Sequence, residues 1–385
     1  MREVAVIGVG QTPIGELWDL SLRELGASAL KQAADDAGIQ KPDALFVANM
    51  LSARLSNQAH LATLVADYTG WRGIEAATVE AACASGGMAF QTAVRAVASG
   101  MVDVVAVCGV EKMTDDTTGE ITAALATAAD ADYEGAHGAS FVALNALIMR
   151  RYMHEYKVPH KPFGAFSINA HKNAVNNPNA MFRKAINQAI YDRAPMVADP
   201  INLYDSSPIC DGAAALILCP LDMAKESGKP IVRVMASASA TDTLALADRK
   251  NILGLDAAVN SARKAYELAK LTPQDIDFFE VHDAFSIMSA LSLEGAGFAE
   301  KGRAPYQAVD GEFAIGGRLP ISTMGGLKGR GHPVGATGVY ELVDLMTQLR
   351  GEAGENQVKD ARIGMTQNIG GTGATVVAHI LERVG

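Results

Sequence analysis

"CASGGMAFQTAVRAVASG" (83–100) and "GHPVGATGVYELVDLMTQLRG" (331–351) are two versions of one pattern, a glycine-rich turn that opens a helical run. Each leads into an apolar strand, "VDVVAVCGV" (102–110) and "ARIGMTQNIGG" (361–371). Working outward, the match continues. The strand "REVAVIGVG" (2–10) precedes the helix "SLRELGASALKQAADDAG" (21–38), where Ser21 and Glu24 form a capping box, Leu22, Leu25, Ala29 and Ala33 share a face, and Gly38 stops the helix. The strand "DALFVAN" then ends at Asn49. Far downstream the order recurs: strand "PIVRVMASA" (230–238), helix "DAAVNSARKAYELAKL" (256–271) with Val259, Ala262, Tyr266 and Ala269 on one face, and strand "DIDFFEVHDAF" (275–285), in which His282 matches Asn49. Aligning Gly86 with Gly335 sets Cys83 opposite His332. Both halves close on one more strand, "DGAAALILC" (211–219) and "GATVVAHIL" (373–381).

This pattern predicts an α/β protein of two pseudo-twofold-related halves, each a largely parallel sheet covered by helices. The N-terminal half spans 1–115 plus 201–225 and the C-terminal half 226–385. Residues 116–200 interrupt the first half. Their "MFRKAINQAIYDRAPMVADP" (181–200) has weak periodicity, and the segment reads as a loop or lid insertion.

Composition narrows the function. The chain has 385 residues, 49% hydrophobic and 20% charged, with a formal net charge of −10 and no clustered lysines or arginines, which argues against nucleic acid as a partner. No run of about 18 apolar residues suggests a membrane span, and the start lacks the basic region and apolar core of a signal peptide, so the expected location is cytoplasmic. The four cysteines, Cys83, Cys108, Cys210 and Cys219, make no CxxC, and no histidine cluster has metal-ligand spacing. No GxGxxG follows the first strand and no GxxxxGK[ST] occurs, so nothing supports a nucleotide cofactor.

In open α/β sheets ligands collect beyond the carboxyl ends of the strands. Cys83, His282, His332, and Asn368 with Gly370 and Gly371 all fall there. Cys108, Cys210 and Cys219 read as buried fillers. Cys83 stands at a helix start, where N–H groups and the helix dipole favour thiolate and a neighbouring base would bring its pKa from about 8.5 toward neutrality. His332 lies between Gly331 and Pro333 in a turn that exposes a ring. Asp283 reads as a cap for the next helix. His379 reads as structural, and His60, His137, His154, His160 and His171 as loop or surface residues.

At these residues the chain resembles the thiolase superfamily along essentially its whole length. "CASGGMAF" resembles the nucleophile loop and "GGLKGRGHPVGATG" the histidine loop. "HDAF", "RRYMHEY", "NAHKNAVNNP" and "VADPINLYDSSPICDGAAA" resemble the sterol-carrier-protein and archaeal branch. The resemblance implies a five-layer α-β-α-β-α thiolase fold with a loop-domain insertion. It implies an acyltransferase in which Cys83 attacks an acyl-CoA with His332 as base, and an enolisable acyl-CoA then attacks the acyl-cysteine to give a β-ketoacyl-CoA, or the reverse. It implies one oxyanion hole from the N–H groups of Cys83 and Gly370 and another from His282 with a water. Coenzyme A thioesters are substrates in this chemistry, and no metal or other cofactor is expected.

The chain departs from the family at one point. Thiolases carry a second, acid/base cysteine in a Cys-x-Gly-Gly-Gly turn, where this chain has Asn368. The sterol-carrier-protein type can supply that cysteine in His-Asp-Cys-Phe, where this chain has Ala284. An amide takes no proton at neutral pH, so either His282 or His332 is expected to move the α-proton. Superfamily alternatives are a ketoacyl or hydroxymethylglutaryl-CoA synthase, a retro-aldolase acting on acyl-CoA side chains, and a non-catalytic CoA- or lipid-binding scaffold. The resemblance also implies a homodimer or dimer of dimers, a small OB-fold, zinc-ribbon partner protein, and a complex with a hydroxymethylglutaryl-CoA synthase.

Overall fold

The computed structural model describes residues 2–224 and 229–384. In the first half, strand β1 (Val4–Gln11) leads to helix α1 (Leu22–Ala37), then β2 (Ala44–Ala48), helix α2 (Leu61–Thr69), β3 (Glu75–Val79), helix α3 (Ser85–Ser99) and β4 (Val105–Glu111). The capping box at Ser21 and Glu24 is present, and Gly38 ends α1 in the left-handed conformation that glycine adopts at no steric cost. The half closes on β5 (Gly212–Pro220), whose nine residues are all buried.

The second half runs β6 (Ile231–Thr241), helix α6 (Asp256–Ala269), β7 (Phe278–Val281), helix α7 (Ser286–Gly295), helix α8 (Thr337–Arg350), β8 (Ile363–Gly370) and β9 (Thr375–Val384). The buried face of α6 is Ala257, Ala258, Ser261, Ala262 and Ala265. It is rotated from the predicted one, leaving Val259 exposed. Between β4 and β5 of the first half lie helix α4 (Phe141–Tyr156) and helix α5 (Gly164–Ala174), both within 116–200.

Among the described residues, nine strands form one sheet in the order β3-β2-β4-β5-β1-β6-β9-β8-β7. The two halves meet through a short antiparallel contact in which Ala5 and Val6 of β1 face Arg233 and Val232 of β6. The expectation of largely parallel sheets is corrected here. β2 pairs in parallel with β3 and β4, and β8 with β7. The closing strands β5 and β9, however, insert antiparallel between their neighbours, β5 between β4 and β1 and β9 between β8 and β6. A chain returning through a short turn, as β8 does into β9, can only pair antiparallel.

The layers follow from which helix touches which strands. α1 and α2 cover the outer face of the first half, and α6 and α7 that of the second. α3 and α8 lie between, each touching strands of both halves and each other. That is the five-layer α-β-α-β-α arrangement expected from the sequence, with two helices buried at its centre. α8 is apolar enough for this position: Val339, Tyr340, Leu342, Val343, Leu345, Met346 and Leu349 are buried along its length. The helices approach closely at their N-termini, where a Cβ on Gly86 would stand 2.8 Å from Gly338 Cα. Since α3 begins at Ser85 and α8 at Thr337, Gly86 corresponds to Gly338 rather than to Gly335. No described helix is long and apolar enough to cross a membrane.

Candidate active site

Cys83 stands two residues before α3, on a loop held in an uncommon shape. Ala82 has φ +52°, a left-handed conformation that costs an alanine about 1 kcal/mol. Ser85 compensates: its Oγ accepts the Ala81 N–H at 2.9 Å and donates to the Ala82 carbonyl at 2.6 Å. The loop presents Cys83 half-buried, whereas Cys108, Cys210 and Cys219 are fully buried. All four are free thiols.

The thiol is not the acid that a helix start alone predicts. Burial pushes it up to about 12, the negative charge of Glu111 adds to the rise, and hydrogen bonds from the backbone N–H groups of Gly371 and Cys83 oppose it. Desolvation wins over the helix end here, so the resting sulfur is a thiol that needs a base. Glu111 is present for structural reasons. Its carboxyl accepts the N–H groups of Met50, Leu51 and Gly335 and the Asn49 amide, at 2.8 to 3.1 Å. It thereby joins the loop after β2 to the histidine loop.

His332 is buried, and its ring Nδ1 lies 2.7 Å from Thr337 Oγ1, one turn into the loop-to-helix junction. Its own N–H donates to Cys210 Sγ at 3.0 Å, so Cys210, read from sequence as filler, positions the histidine loop. Burial and the charge of Arg330 push the imidazole down to about 3, leaving it neutral at physiological pH.

His282 follows β7, and its ring meets that of His332 edge-on with centroids 5.1 Å apart. Its Nδ1 has two buried neighbours, the Asn368 amide nitrogen at 3.1 Å and Glu341 Oε1 at 3.2 Å. Burial, His332, Lys328 and Arg330 all hold it well below the ordinary histidine range. Glu341, on α8, was missed from the sequence. A glutamate inside an apolar helix face is the signal that was available. Asp283 does not cap α7. Instead its Oδ1 accepts the Leu327 N–H at 2.6 Å, and the buried Lys328 donates to its carbonyl at 2.5 Å, which pins the turn leading to His332.

Cys83, His282 and His332 line one cavity of about 410 Å³. Its walls are mainly apolar, with Met50 and Met113 from the first half, Phe141 and Val142 from α4, and Phe285 and Met288 from the second half. Gly371 is on that wall. Gly370 is not; it ends the β8/β9 ladder opposite Thr375 and packs against the Ala81 carbonyl, so the N–H that faces the sulfur belongs to Gly371. Asn368 is likewise off the wall, fully buried behind His282, with its Oδ1 accepting the Gly87 N–H at 3.1 Å. Of the remaining histidines, His160 lies in a loop as expected, partly exposed and hydrogen-bonded to Asp205 and Tyr191, whereas His171 is buried on α5 against Phe182 and is not a surface residue. His379 is buried in β9 beside Ser237.

The family model described as "Thiolase, N-terminal domain" matches residues 4–222, and "Thiolase C-terminal domain-like" matches 238–383. The chain belongs to the thiolase family. Thiolases similar to it include the acetyl-CoA acetyltransferase of Methanothermobacter thermautotrophicus, 49% identical with all of both chains covered. That of Methanocaldococcus jannaschii is 41% identical over 99% of each. Among solved structures, one titled "Ltp2-ChsH2(DUF35) aldolase" superposes with a TM-score of 0.87 at 24% identity, covering 99% of this thiolase chain and 98% of that one, which is a likeness of fold.

Proposed function

We propose that this chain is a thiolase acyltransferase that makes or cleaves a β-ketoacyl-CoA through an acyl-Cys83 intermediate. One observation carries the reading: a sulfur from the first half and two neutral imidazoles from the second share the wall of a single apolar cavity. Its full-length similarity to acetyl-CoA acetyltransferases points the same way.

The chemistry divides among named groups. His332 takes the thiol proton as Cys83 attacks the thioester and returns it to the departing CoA sulfur, leaving acyl-Cys83 and free CoA. The tetrahedral oxyanion is held by the N–H groups of Cys83 and Gly371. A second acyl-CoA loses its α-proton to an imidazole while its thioester oxygen lies against the other imidazole, and its carbon attacks acyl-Cys83. CoA thioesters are substrates here, and the steps use only side chains and backbone of this chain. Residues 116–200 act as a loop unit that roofs the cavity through Phe141 and Val142.

The assembly is a homodimer, or a dimer of dimers, paired through β3, which ends the sheet with Glu75, Ala76, Ala77 and Thr78 exposed. A small OB-fold, zinc-ribbon protein, and through it a hydroxymethylglutaryl-CoA synthase, docks at the cavity mouth, where Val197 and Leu203 of the wall are exposed beside Met196. The four free thiols suit a cytoplasmic location. Incubation with acetyl-CoA followed by intact-protein mass measurement tests the core reading. Addition of one acetyl group, absent from Cys83→Ala, is the expected result. No adduct at all returns the chain to aldol chemistry or to binding alone.

A further inference from the structure

Given the thiolase reading, we infer that Asn368 and Glu341 lock His282 as the tautomer protonated on Nε2, so that His282 only donates hydrogen bonds and His332 is the single base of both half-reactions.

The assignment follows from which atoms can donate. Asn368 Oδ1 is fixed by accepting the Gly87 N–H at 3.1 Å, so the amide presents its NH₂ to His282 Nδ1, 3.1 Å away. An NH₂ group has only protons to offer, so Nδ1 must be the acceptor and the ring proton must sit on Nε2. Glu341 Oε1 reaches the same Nδ1 at 3.2 Å, and its Oε2 is buried without a partner. A carboxylate there would demand a proton on Nδ1 and set it against the Asn368 amide; a neutral carboxylic acid shares the single Nδ1 lone pair with the Asn368 N–H in a three-centre bond and so agrees with it.

The surroundings keep Glu341 neutral. Glu280, Glu341 and Asp344 cluster around one buried guanidinium, Arg330, which is bonded to Asp344, and Asp283 adds a further negative charge. One cation cannot keep three buried carboxyls ionised. Burial drives Glu341 well above the usual carboxylate range against the pull of Arg330. Lys328 and His332 face His282 from the histidine loop and further disfavour an imidazolium there.

His332 is wired the other way. Thr337 Oγ1 donates to the Pro333 carbonyl at 3.2 Å, so His332 Nδ1 donates to Thr337 at 2.7 Å and Nε2 keeps its lone pair. The protons then balance around one base. His332 carries the Cys83 proton to the leaving CoA sulfur in the first half-reaction. In the second it takes the α-proton, the new carbon–carbon bond expels the Cys83 sulfur, and His332 returns that proton to it. Throughout, His282 Nε2–H donates to the thioester enolate oxygen. Asn368 and Glu341 are positioning residues, acting through His282.

The test reads the tautomer directly. In protein labelled with ¹⁵N-histidine, imidazole correlation spectra at neutral pH, assigned through His282→Asn, should show His282 protonated on Nε2 and bare on Nδ1, with His332 the reverse. A proton on Nδ1 of His282 overturns the inference whatever the activity. Asn368→Asp replaces the donor by an acceptor of the same shape. It should move the His282 proton to Nδ1 and cut condensation by ~10²-fold, as for loss of one oxyanion donor, while Cys83 still acylates. Unchanged condensation with a moved proton overturns the donor role. Glu341→Gln, which keeps a donor, should restore condensation relative to Glu341→Leu. In deuterated water His332→Asn should lose α-proton exchange of acetyl-CoA by ~10²-fold or more; retained exchange would make His282 the base. The expected spectrum in a protein that never acylates would sink the thiolase reading and leave the tautomer lock standing.

Discussion

The peptide N–H of His332 donates to the sulfur of Cys210 at 3.0 Å, across 122 positions of chain. His332, which shares a cavity wall with Cys83, is therefore held by a different cysteine from the end of the first half. Gly331, with φ +121°, lets the loop pass this close: a Cβ there would lie 3.1 Å from the same sulfur and 2.4 Å from Ile14.

Replacing Cys210 by valine removes the acceptor and leaves the His332 N–H buried and unpaired, at a cost of about 1–3 kcal/mol. The urea midpoint should fall, and acylation of Cys83 should slow about tenfold or more as the ring loses its setting. Cys210→Ser, which keeps an acceptor, should lose less on both measures. Equal losses would show that the sulfur serves packing alone.

Thiol reactivity should rise steeply with pH. With the Cys83 thiol pushed up to about 12, the thiolate fraction grows about tenfold per pH unit through the neutral range. Iodoacetamide, which needs thiolate, should inactivate the enzyme at a rate that climbs from pH 6 to 9 without levelling, each pH value marking about the next tenfold. Acylation by substrate should instead be nearly flat there, because neutral His332, with its value near 3, is available throughout. An alkylation plateau near neutrality would mean a thiolate–imidazolium pair at rest.

Glu111 ties two loops together, and its removal should be costly. Glu111→Ala strands three backbone N–H groups, those of Met50, Leu51 and Gly335. At about 1 kcal/mol or more each, a loss near 3 kcal/mol is expected in chemical denaturation. Burial raises this carboxyl from 4.5 to about 7, with the N–H donors opposing. Its folded pKa exceeds the unfolded one, so the folded state binds the extra proton. The stability linked to that proton is full below pH 4.5 and is lost as pH rises through about 7. The gap between wild type and Glu111→Ala should narrow over that window; a gap that widens would show the carboxyl ionised in the fold.

The central helices leave no room for a methyl group where they meet. In Gly86→Ala the new Cβ would stand 2.7 Å from Val339 N and 2.8 Å from Gly338 Cα, both backbone atoms that cannot swing away. A loss of about 1–3 kcal/mol is expected, together with slower acylation, since Cys83 lies three residues upstream. Thermal melting and the acetyl-adduct assay measure both. A variant that melts like wild type would show that α3 and α8 separate at little cost.

Much of this was legible in the sequence because repetition and local chemistry are written along the chain. The capping box at Ser21, the strand that delivers His282 and the turn that carries Cys83 each need only a few neighbouring residues. The antiparallel insertion of β5 and β9 was not legible, since both are buried on both faces and their near-continuous apolar runs read like those of parallel strands. Helix α4 was missed inside 116–200. The buried face of α6 was misread because alanines on both sides of it leave the period ambiguous.

The sequence by itself determined the family, the two-half plan, and the candidate site residues Cys83, His282, His332 and Asn368. Only the tertiary structure decided which atoms these groups face. Gly371 rather than Gly370 meets the sulfur, Cys210 holds His332, and Asn368 with Glu341 closes on the inner nitrogen of His282. The physical reason is that motifs specify residue types, whereas protonation depends on burial and on hydrogen-bond partners that lie far away in the chain. Those partners exist only once α3 and α8 have packed between the two halves of the sheet.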